Sequence, residues 1–528
     1  MVNSCEKKVV ETPCGSIEGI VSKSRDGREF YEWRGIPFGK APVGPLRFAS
    51  PQAFGKWEGV RDGSKFGPRC PEASGVFGNA IGDEDCLNLN VSVPKVTTTQ
   101  LLPVMIYIHG GAFQGGTGSM YPSDYFVDED VVYVNPNYRL GIFGFLNTGD
   151  TVIRGNMGLK DQALALRWVK ENIQAFGGDP NQITIFGESA GGASIHHLVL
   201  SPSTKDDTAK LAENLRSKTV AELMAAYKQE IPEGITFRPD LESHFFQPSI
   251  EAVNDEEAFL VEHPLAIMAE GRAHKVPWMV GACSHEGLLT SLAFYNNEEV
   301  MENYEKNWDN CIHWTFGIPP EIPNAKELAD EIKEIYFPKE SNFTKDQRLE
   351  QYTKLFTDAQ FILHMSHCIS VQSEFTPVYP YYFSRRGGPS LTPIMNLLMG
   401  KGHMSLKFAK YFATSVYNRI TGSKPRDYGV CHGDDLAMLF KMERMFHVPR
   451  NPLAPDYIFS KEMVKLWVDF AKDETSMTFR GVKFPAQDPK IPVQYLELCE
   501  TPKIIEEPFR DRSDALKSLG VVKLRLSA

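Results

Sequence analysis

The chain has 528 residues, of which 42% are hydrophobic and 23% charged, an ordinary composition for a globular protein with a sizeable core. Its net charge of −11 and the lack of a basic stripe argue against a nucleic-acid partner. The sequence has no run of 18 or more apolar residues that would predict a transmembrane segment. Its nine cysteines are too few for a disulfide scaffold. The first residues, MVNSCEKKVVETPCGS, lack the apolar core of a signal peptide. The sequence as written therefore predicts a cytoplasmic protein, with secretion as the alternative if the N-terminus is processed.

The predicted elements alternate between strands and helices along the chain. Residues 8–34 combine short β-rich runs with Gly and Asp-Gly turns, which is typical of hairpins. Apolar residues at helical spacing predict a helix over 157–175. Further strands are predicted at 87–94, 103–110, 130–140, 183–186, 276–283 and 378–384. The run at 103–110 is almost wholly apolar, as in a strand buried on both faces, so the sequence predicts an α/β fold with a parallel sheet.

A possible nucleophile lies in the stretch Gly187-Glu188-Ser189-Ala190-Gly191. The stretch follows a β-branched and aromatic run and precedes small residues that can begin a helix. Strand, sharp turn and helix form the setting in which G-x-S-x-G becomes a nucleophile elbow. The motif alone is weak, because the chain has 42 glycines and an ordinary tight turn has the same composition.

A serine nucleophile needs a base and an orienting acid, which follow it in the order acid, then histidine, in one large class of hydrolases. Glu286 comes directly after the strand predicted at 276–283, where catalytic groups of a parallel sheet are usually presented. His432 lies in the polar, glycine-bounded loop GVCHGDDL. Thirteen histidines are present, so spacing alone does not select His432. The alternatives His196, His197 and His285 are interpreted as surface or core residues.

Donors for a developing oxyanion have their own pattern in His109-Gly110-Gly111-Ala112-Phe113. This stretch leaves the apolar strand at 103–110 and enters a glycine-rich loop, whose small residues let backbone N–H groups approach an alkoxide. The alternative is a plain glycine-rich turn.

Metal ligands are less evident, because CxxC and HExxH are absent and the cluster His364, His367, Cys368 is typical of a helix face. We expect neither a metal nor another cofactor.

These motifs together resemble the type-B carboxylesterase family, and insect or other arthropod esterases are closest in appearance. The resemblance is carried by sequences along nearly the whole chain: EDCLNLNV, HGGAF, NYRLGIFGFL, GNMGLKDQALALRWVKENIQAFGGDP, GESAGG and GVCHGDDL. It implies an α/β-hydrolase fold, with a large, mostly parallel central sheet and helices on both faces. It also implies that residues 1–528 form a single domain.

The resemblance assigns roles residue by residue. It implies that Ser189 is the nucleophile, Glu286 the orienting acid and His432 the base. The backbone N–H groups of Gly111, Ala112 and Ala190 would form the oxyanion hole. Cys70 and Cys86 resemble a disulfide of the family.

The implied reaction is cleavage of carboxyl esters to alcohol and carboxylate through an acyl-enzyme. The expected partner is a small-molecule ester. The alternatives are a juvenile hormone esterase-like hydrolase of hormone or xenobiotic esters, and a catalytically weak sequestering member of the family.

The chain departs from the family pattern in several places. The loop between the two cysteines has no tryptophan for a choline site, which argues against acetylcholine. Glu188 replaces the glutamine usual in juvenile hormone esterases. The chain also appears shortened near 203–210, where a further sheet strand is expected, and carries an apparent insertion at 387–429. The insertion is interpreted as a helical lid, membrane contact or packed element, and Phe408, Tyr411 and Phe412 would share one of its helix faces.

Overall fold

The structure is a computed structural model. It describes residues 7–73, 80–96, 100–150, 152–201, 246–319, 321–339, 342–399, 426–442 and 451–521, with five isolated positions between 409 and 421. The chain divides into two compact units. The N-terminal unit contains Met1–His274, Leu439–Met442 and Met463–Glu474, and the C-terminal unit contains Lys275–Met438, Glu443–Glu462 and Thr475–Ala528.

The N-terminal unit contains a mixed eight-stranded sheet in the order β1-β2-β3-β7-β9-β8-β10, with β4 paired to β2. Its strands are β1 (Lys7–Thr12), β2 (Gly15–Lys23), β3 (Glu29–Pro37), β4 (Val60–Asp62), β7 (Asn88–Pro94), β8 (Leu102–Ile108), β9 (Val132–Pro136) and β10 (Gly178–Gly187). Strands β9, β8 and β10 run parallel to one another, and β1 to β3 form the predicted hairpins. A separate pair consists of β5 (Glu72–Ala73) and β6 (Ala80–Ile81).

Helices lie in the connections between and after the strands of this unit. They are α1 (Gly141–Phe145), α2 (Met157–Asn172), α3 (Ala190–Leu200) and α4 (Pro264–Ala269). Helix α2 confirms the predicted helix, but it ends at Asn172, and a 3₁₀ turn (Ile173–Phe176) replaces its last turn. Gly177, with φ 87°, then terminates the segment in the left-handed conformation that glycine adopts readily.

Strand β10 differs in burial from its neighbours. Residues of β9 are fully buried, as are Val104 to Ile108 of β8. In β10 the apolar residues Ile183, Ile185 and Phe186 are only half-buried. Within the described residues, β8 is the strand that pairs with β10.

The C-terminal unit contains a four-stranded sheet in the order β11-β12-β15-β16. Its strands are β11 (Trp278–Cys283), β12 (Val378–Phe383), β15 (Gln494–Leu498) and β16 (Lys503–Glu506), and a small hairpin consists of β13 (Thr478–Phe479) and β14 (Val482–Lys483). Strands β11, β12 and β15 are parallel. Strands β11 and β12 confirm the two strands predicted in this half of the chain.

Helices form most of the rest of the C-terminal half of the sequence. They are α5 (Leu288–Asn296), α6 (Glu298–Lys306), α7 (Trp308–Phe316), α8 (Ala325–Tyr336), α9 (Lys345–Thr357), α10 (Leu363–Gln372), α11 (Thr392–Met399), α12 (Leu436–Leu439), α13 (Pro455–Lys472) and α14 (Arg510–Ser518). A π-helical segment, Asp358–Ile362, joins α9 to α10. An aromatic core that includes Tyr304, Trp308, Tyr352 and Phe356 holds α6 to α9 together.

The beginning of the predicted insertion packs onto α5. The Asn296 side chain donates to Asn396 Oδ1 at 2.7 Å, and Met395 contacts a buried cluster that includes Leu292 and Cys431. The residues assigned to the lid, Phe408, Tyr411 and Phe412, lie outside the described residues. The lid therefore stays a prediction.

Candidate active site

Ser189 lies in a sharp turn between β10 and α3. Its backbone has φ 56° and ψ −125°, a strained conformation for a residue with a side chain. A Cβ atom at Gly191 would lie 2.0 Å from the carbonyl oxygen of Ile108, and one at Gly187 would lie 2.5 Å from the same oxygen. Both flanking glycines are therefore required by the close approach of the turn to the end of β8.

The predicted oxyanion loop, which contains His109 to Phe113, lies against this turn. A Cβ atom at Gly110 would lie 2.6 Å from the carbonyl oxygen of Glu188 and 3.0 Å from Cβ of Ser189. Ala190, the third predicted donor, is the first residue of α3, where backbone N–H groups have no partner within the helix. Within the N-terminal unit, Gly110, which directly precedes Gly111 and Ala112, thus lies against the turn of the predicted nucleophile, and Ala190 follows Ser189 in the sequence.

The oxyanion loop is itself strained. Ala112 and Phe113 have φ of 54° and 63°, in the left-handed region that residues with a Cβ atom seldom adopt. Two sets of hydrogen bonds hold this shape. The carbonyl oxygen of Gly111 accepts the N–H groups of Gln114 and Gly115, and Phe113 accepts that of Gly141 at 2.7 Å. Such strain persists only where the surrounding structure fixes it, and it is common at functional sites.

His109 begins the loop as a neutral side chain. Complete burial lowers the pKa of His109 to about 4, since burial disfavours the charged imidazolium. Its Nδ1 lies 2.9 Å from the carbonyl oxygen of Gly110, and its ring stacks on Tyr138 with centroids 4.4 Å apart. His109 therefore supports the loop and does not titrate near neutral pH.

The C-terminal unit brings Glu286 and His432 together. Oε2 of Glu286 lies 2.5 Å from Nδ1 of His432. The other carboxylate oxygen accepts the backbone N–H of Cys283 at 2.6 Å, and Glu286 is buried. The Phe361 ring, on the π-helical segment, lies 4.7 Å from the His432 ring. A carboxylate at Nδ1 holds the proton on that nitrogen and leaves Nε2 as the acceptor of the imidazole.

Backbone contacts explain how two residues so far apart in sequence meet. Glu286 lies in the turn between β11 and α5, and the N–H of the adjacent His285 donates to the carbonyl oxygen of Val430 at 2.9 Å. A Cβ atom at Gly429, which has φ 127°, would collide with the His285 ring at 2.6 Å. The loop that carries His432 is thus fixed against the turn that carries Glu286.

A further carboxyl group, Asp434, was not selected from the sequence. Its side chain accepts the N–H groups of Cys431 at 2.8 Å and Leu391 at 2.6 Å. It thereby ties the loop before His432 to the residue preceding α11. Burial, together with the nearby Glu286 charge, raises the pKa of Asp434 to about 7. The doublet of aspartates in HGDD was the only signal for it in the sequence.

Asp434→Asn should change how stability depends on pH. The folded protein binds the proton of the Asp434 carboxyl group more tightly than the unfolded chain does. The contribution of this proton to the free energy of unfolding is therefore complete below about pH 4, and it is lost as pH rises through about 7. The loss is about 1.4 kcal/mol per pH unit between pH 5 and pH 7. Urea unfolding at pH 5 and pH 8 should show about 2–3 kcal/mol less pH dependence in the variant than in the wild type. An identical difference in both proteins would contradict this prediction.

The other histidines that were candidates for the base are neutral near pH 7. Desolvation lowers the pKa of His196, His197 and His285 to about 4 each. Cys70 and Cys86 form a disulfide. Within the described part of the chain, no group of His, Cys, Asp and Glu side chains has an arrangement that would hold a metal ion. None of the described helices has both the length and the apolar character needed to cross a bilayer.

Comparison with known proteins identifies the family. The carboxylesterase family model matches residues 6–210 and 204–516. Venom carboxylesterase-6 of Apis mellifera is 33% identical over 478 residues, which cover 81% of this chain and 79% of that protein. The juvenile hormone esterase of Tribolium castaneum is 32% identical over 511 residues, with 88% and 83% covered.

Solved structures agree with this result. A PNB esterase structure is 27% identical in sequence and superimposes with a TM-score of 0.70. The match covers 96% of this chain and 99% of the PNB esterase chain. A structure of juvenile hormone esterase from Manduca sexta gives a TM-score of 0.72 at 23% identity, which supports the fold alone. The fold is thus the α/β-hydrolase fold implied by the sequence. The chain belongs to the carboxylesterase family of ester hydrolases.

Proposed function

We propose that this protein is a serine hydrolase that cleaves carboxyl esters through an acyl-enzyme on Ser189. The observation that carries the proposal is the 2.5 Å contact between Glu286 Oε2 and His432 Nδ1, because it orients a neutral imidazole for proton transfer. The strained turn at Ser189 supports it from the other unit. A silent binding member of the family would have no need to retain both features.

The proposed reaction has two half-cycles. His432 removes the proton of Ser189 as the hydroxyl oxygen attacks the ester carbonyl, and the resulting imidazolium is stabilised by Glu286. The N–H groups of Gly111, Ala112 and Ala190 would bind the oxyanion. The alcohol leaves with a proton from His432. Water then attacks the acyl-enzyme by the same route and releases the carboxylate.

The proposed substrates are small, uncharged esters. Relatives named juvenile hormone esterase and para-nitrobenzyl esterase support ester hydrolysis in general. Hormone esters and xenobiotic esters both belong to this class.

Pre-steady-state hydrolysis of p-nitrophenyl butyrate tests this function. We expect a burst of nitrophenolate of one equivalent per active site, followed by many turnovers. A burst without turnover would favour a sequestering protein. Neither phase, in a folded protein, would overturn the proposal.

Activity should fall as pH drops through about 6.5, because the base must be neutral to accept the serine proton. His109, His196, His197 and His285 have pKa values of about 4 and do not change charge in this range. Asp434, with a pKa of about 7, does change charge in this pH range. The profile of kcat/KM should therefore be measured for the wild type and Asp434→Asn, with the acid limb retained in both. A flat profile between pH 5.5 and 7.5 would argue against His432 as the base.

We also propose that residues 1–528 form a single catalytic domain with a shortened segment near 203–210 and an insertion at 387–429. The two separate matches to the family model, 6–210 and 204–516, support a change of length at this place. The beginning of the insertion, α11, packs on α5 beside the loop of His432.

We propose that the protein is secreted, and not cytoplasmic as its first residues predict. A disulfide is typical of oxidising compartments, and one relative is named a venom carboxylesterase.

Glycosylation provides a test of secretion. Two sequons occur, Asn90-Val91-Ser92 and Asn342-Phe343-Thr344. Asn90 is buried and hydrogen-bonds with Asn135, whereas Asn342 is exposed. In a secretory host, glycosidase treatment should lower the apparent mass of the wild type and of Asn90→Gln, but not of Asn342→Gln. Secreted protein without any glycan on Asn342 would contradict the prediction.

A further inference from the structure

We propose that Glu72 is a positioning residue for the oxyanion loop and that it couples this loop to the Cys70–Cys86 disulfide. The inference rests on the proposed function and deepens it. It concerns the N-terminal unit alone. Glu72 lies two residues after Cys70, and neither the motifs nor the proposed reaction assign it a role.

Glu72 is a buried carboxylate with two fixed partners. Its Oε2 accepts the backbone N–H of Gly116 at 2.5 Å, and its Oε1 accepts a hydrogen bond from Arg69 at 2.6 Å. Its side chain is 9% exposed, compared with 36% for that of Arg69. A hydrogen bond from an amide to a carboxylate is stronger than one between neutral groups. Arg69 offsets the negative charge, which would otherwise disfavour an oxyanion nearby.

The contact with Gly116 closes the oxyanion loop. A Cβ atom at Gly116 would lie 2.5 Å from Nδ1 of His109 and 2.7 Å from the carbonyl oxygen of Gly110, so Gly116 packs directly on the start of the loop. The backbone N–H of the adjacent Gly115 donates to the carbonyl oxygen of Gly111. A Cβ atom at Gly111 would lie 2.1 Å from the carbonyl oxygen of Gly115. Movement of Gly116 would therefore move Gly111, one of the proposed oxyanion donors. The strained φ of the loop makes it dependent on such restraints.

The disulfide holds the segment that carries Glu72. Before Cys70, the carbonyl oxygen of Pro68 accepts the side-chain amides of Asn88 and Asn137 at 3.0 and 2.9 Å. After Cys70, the only described pairing of this backbone is the two-residue strand pair β5–β6. The disulfide to Cys86, just before β7, is therefore a principal restraint on the position of Glu72. Cys70–Cys86, Glu72, Gly116 and Gly111 form one continuous chain of contacts.

A mutant cycle tests the coupling. The variants are Glu72→Ala, Cys70→Ser/Cys86→Ser and their combination, all assayed with p-nitrophenyl butyrate. Glu72→Ala should lower kcat about tenfold with KM within about twofold, because the loop acts on the transition state. The cysteine variant should show a smaller loss in the same sense. The combination should be no slower than Glu72→Ala, since both changes act through one contact.

Further measurements separate positioning from general destabilisation. The affinity for a trifluoromethyl ketone, which forms a tetrahedral adduct with the serine, should fall by the same factor as kcat. Glu72→Gln keeps an acceptor oxygen and should recover activity to within about threefold of the wild type. Glu72→Met fills the same volume without an acceptor and should match Glu72→Ala, which covers the case in which alanine impairs folding. Asp85→Ala changes an exposed acid in the same disulfide loop and should have no effect.

The possible failures are distinct. A folded wild type without turnover would overturn the proposed function, and this inference with it. An active wild type with unchanged kcat in both Glu72→Ala and Glu72→Met would overturn this inference alone. Losses that multiply in the combined variant would refute the coupling to the disulfide.

Discussion

Ser189→Ala should abolish ester hydrolysis, with kcat lower by about 10⁴–10⁶-fold. The variant keeps the oxyanion loop and the Glu286–His432 pair but has no oxygen to form the acyl-enzyme. Because alanine also has a Cβ atom, the backbone strain at φ 56° is unchanged, and we expect the free energy of unfolding to stay close to that of the wild type. Intact-mass spectrometry after treatment with a phosphonate ester should show one adduct on the wild type and none on the variant.

Ser194 provides a matched control. It lies on α3, five residues beyond Ser189, and accepts a hydrogen bond from Gln162 at 3.0 Å. Ser194→Ala should lose about 1 kcal/mol of stability yet retain the adduct and turnover. An adduct that persists in Ser189→Ala would place the nucleophile elsewhere in the chain.

Glu286→Gln should lower kcat by about 10³–10⁴-fold with little change in KM. The amide can still accept the N–H of Cys283, so the turn after β11 should keep its shape. It has no charge to stabilise the imidazolium, and its NH₂ group favours the wrong tautomer of His432. Steady-state kinetics from pH 6 to 9 would measure the loss.

The control for this change is Glu302→Gln, on the exposed side of α6, which should have wild-type kinetics. Equal thermal unfolding midpoints for wild type and Glu286→Gln would show that the loss is catalytic. A kcat within tenfold of the wild type would mean that Glu286 does not act through His432.

Local patterns predicted the elements around the proposed nucleophile. The spacing of Gly187, Ser189 and Gly191 reflects a physical requirement, because Ile108 O leaves no room for side chains at either glycine. The apolar run before His109 likewise identified a strand buried on both faces. Such constraints act between residues close in sequence, or on every residue of one strand, and are visible in the sequence itself.

Contacts between distant segments were less accessible. Spacing did not select His432 among thirteen histidines; its polar, glycine-bounded loop made it a candidate, and the resemblance to a family gave it the role of base. Asp434 and Glu72 were missed, because their importance comes from the backbone N–H groups of Leu391 and Gly116. An acidic residue in a turn or in a strand of only two residues has no periodicity that would mark it as buried. The early end of α2 at Asn172 was missed for a related reason, since a 3₁₀ turn has the same apolar composition as an α-helix.

The half-buried side chains of β10 have a consequence for how the protein behaves at high concentration. Apolar side chains of a strand that keep part of their surface exposed can contact the same strand of another molecule. Ile183, Ile185 and Phe186 have the β-branched and aromatic character that favours aggregation. Because this strand ends at the turn of the proposed nucleophile, we expect aggregation and loss of activity to proceed together.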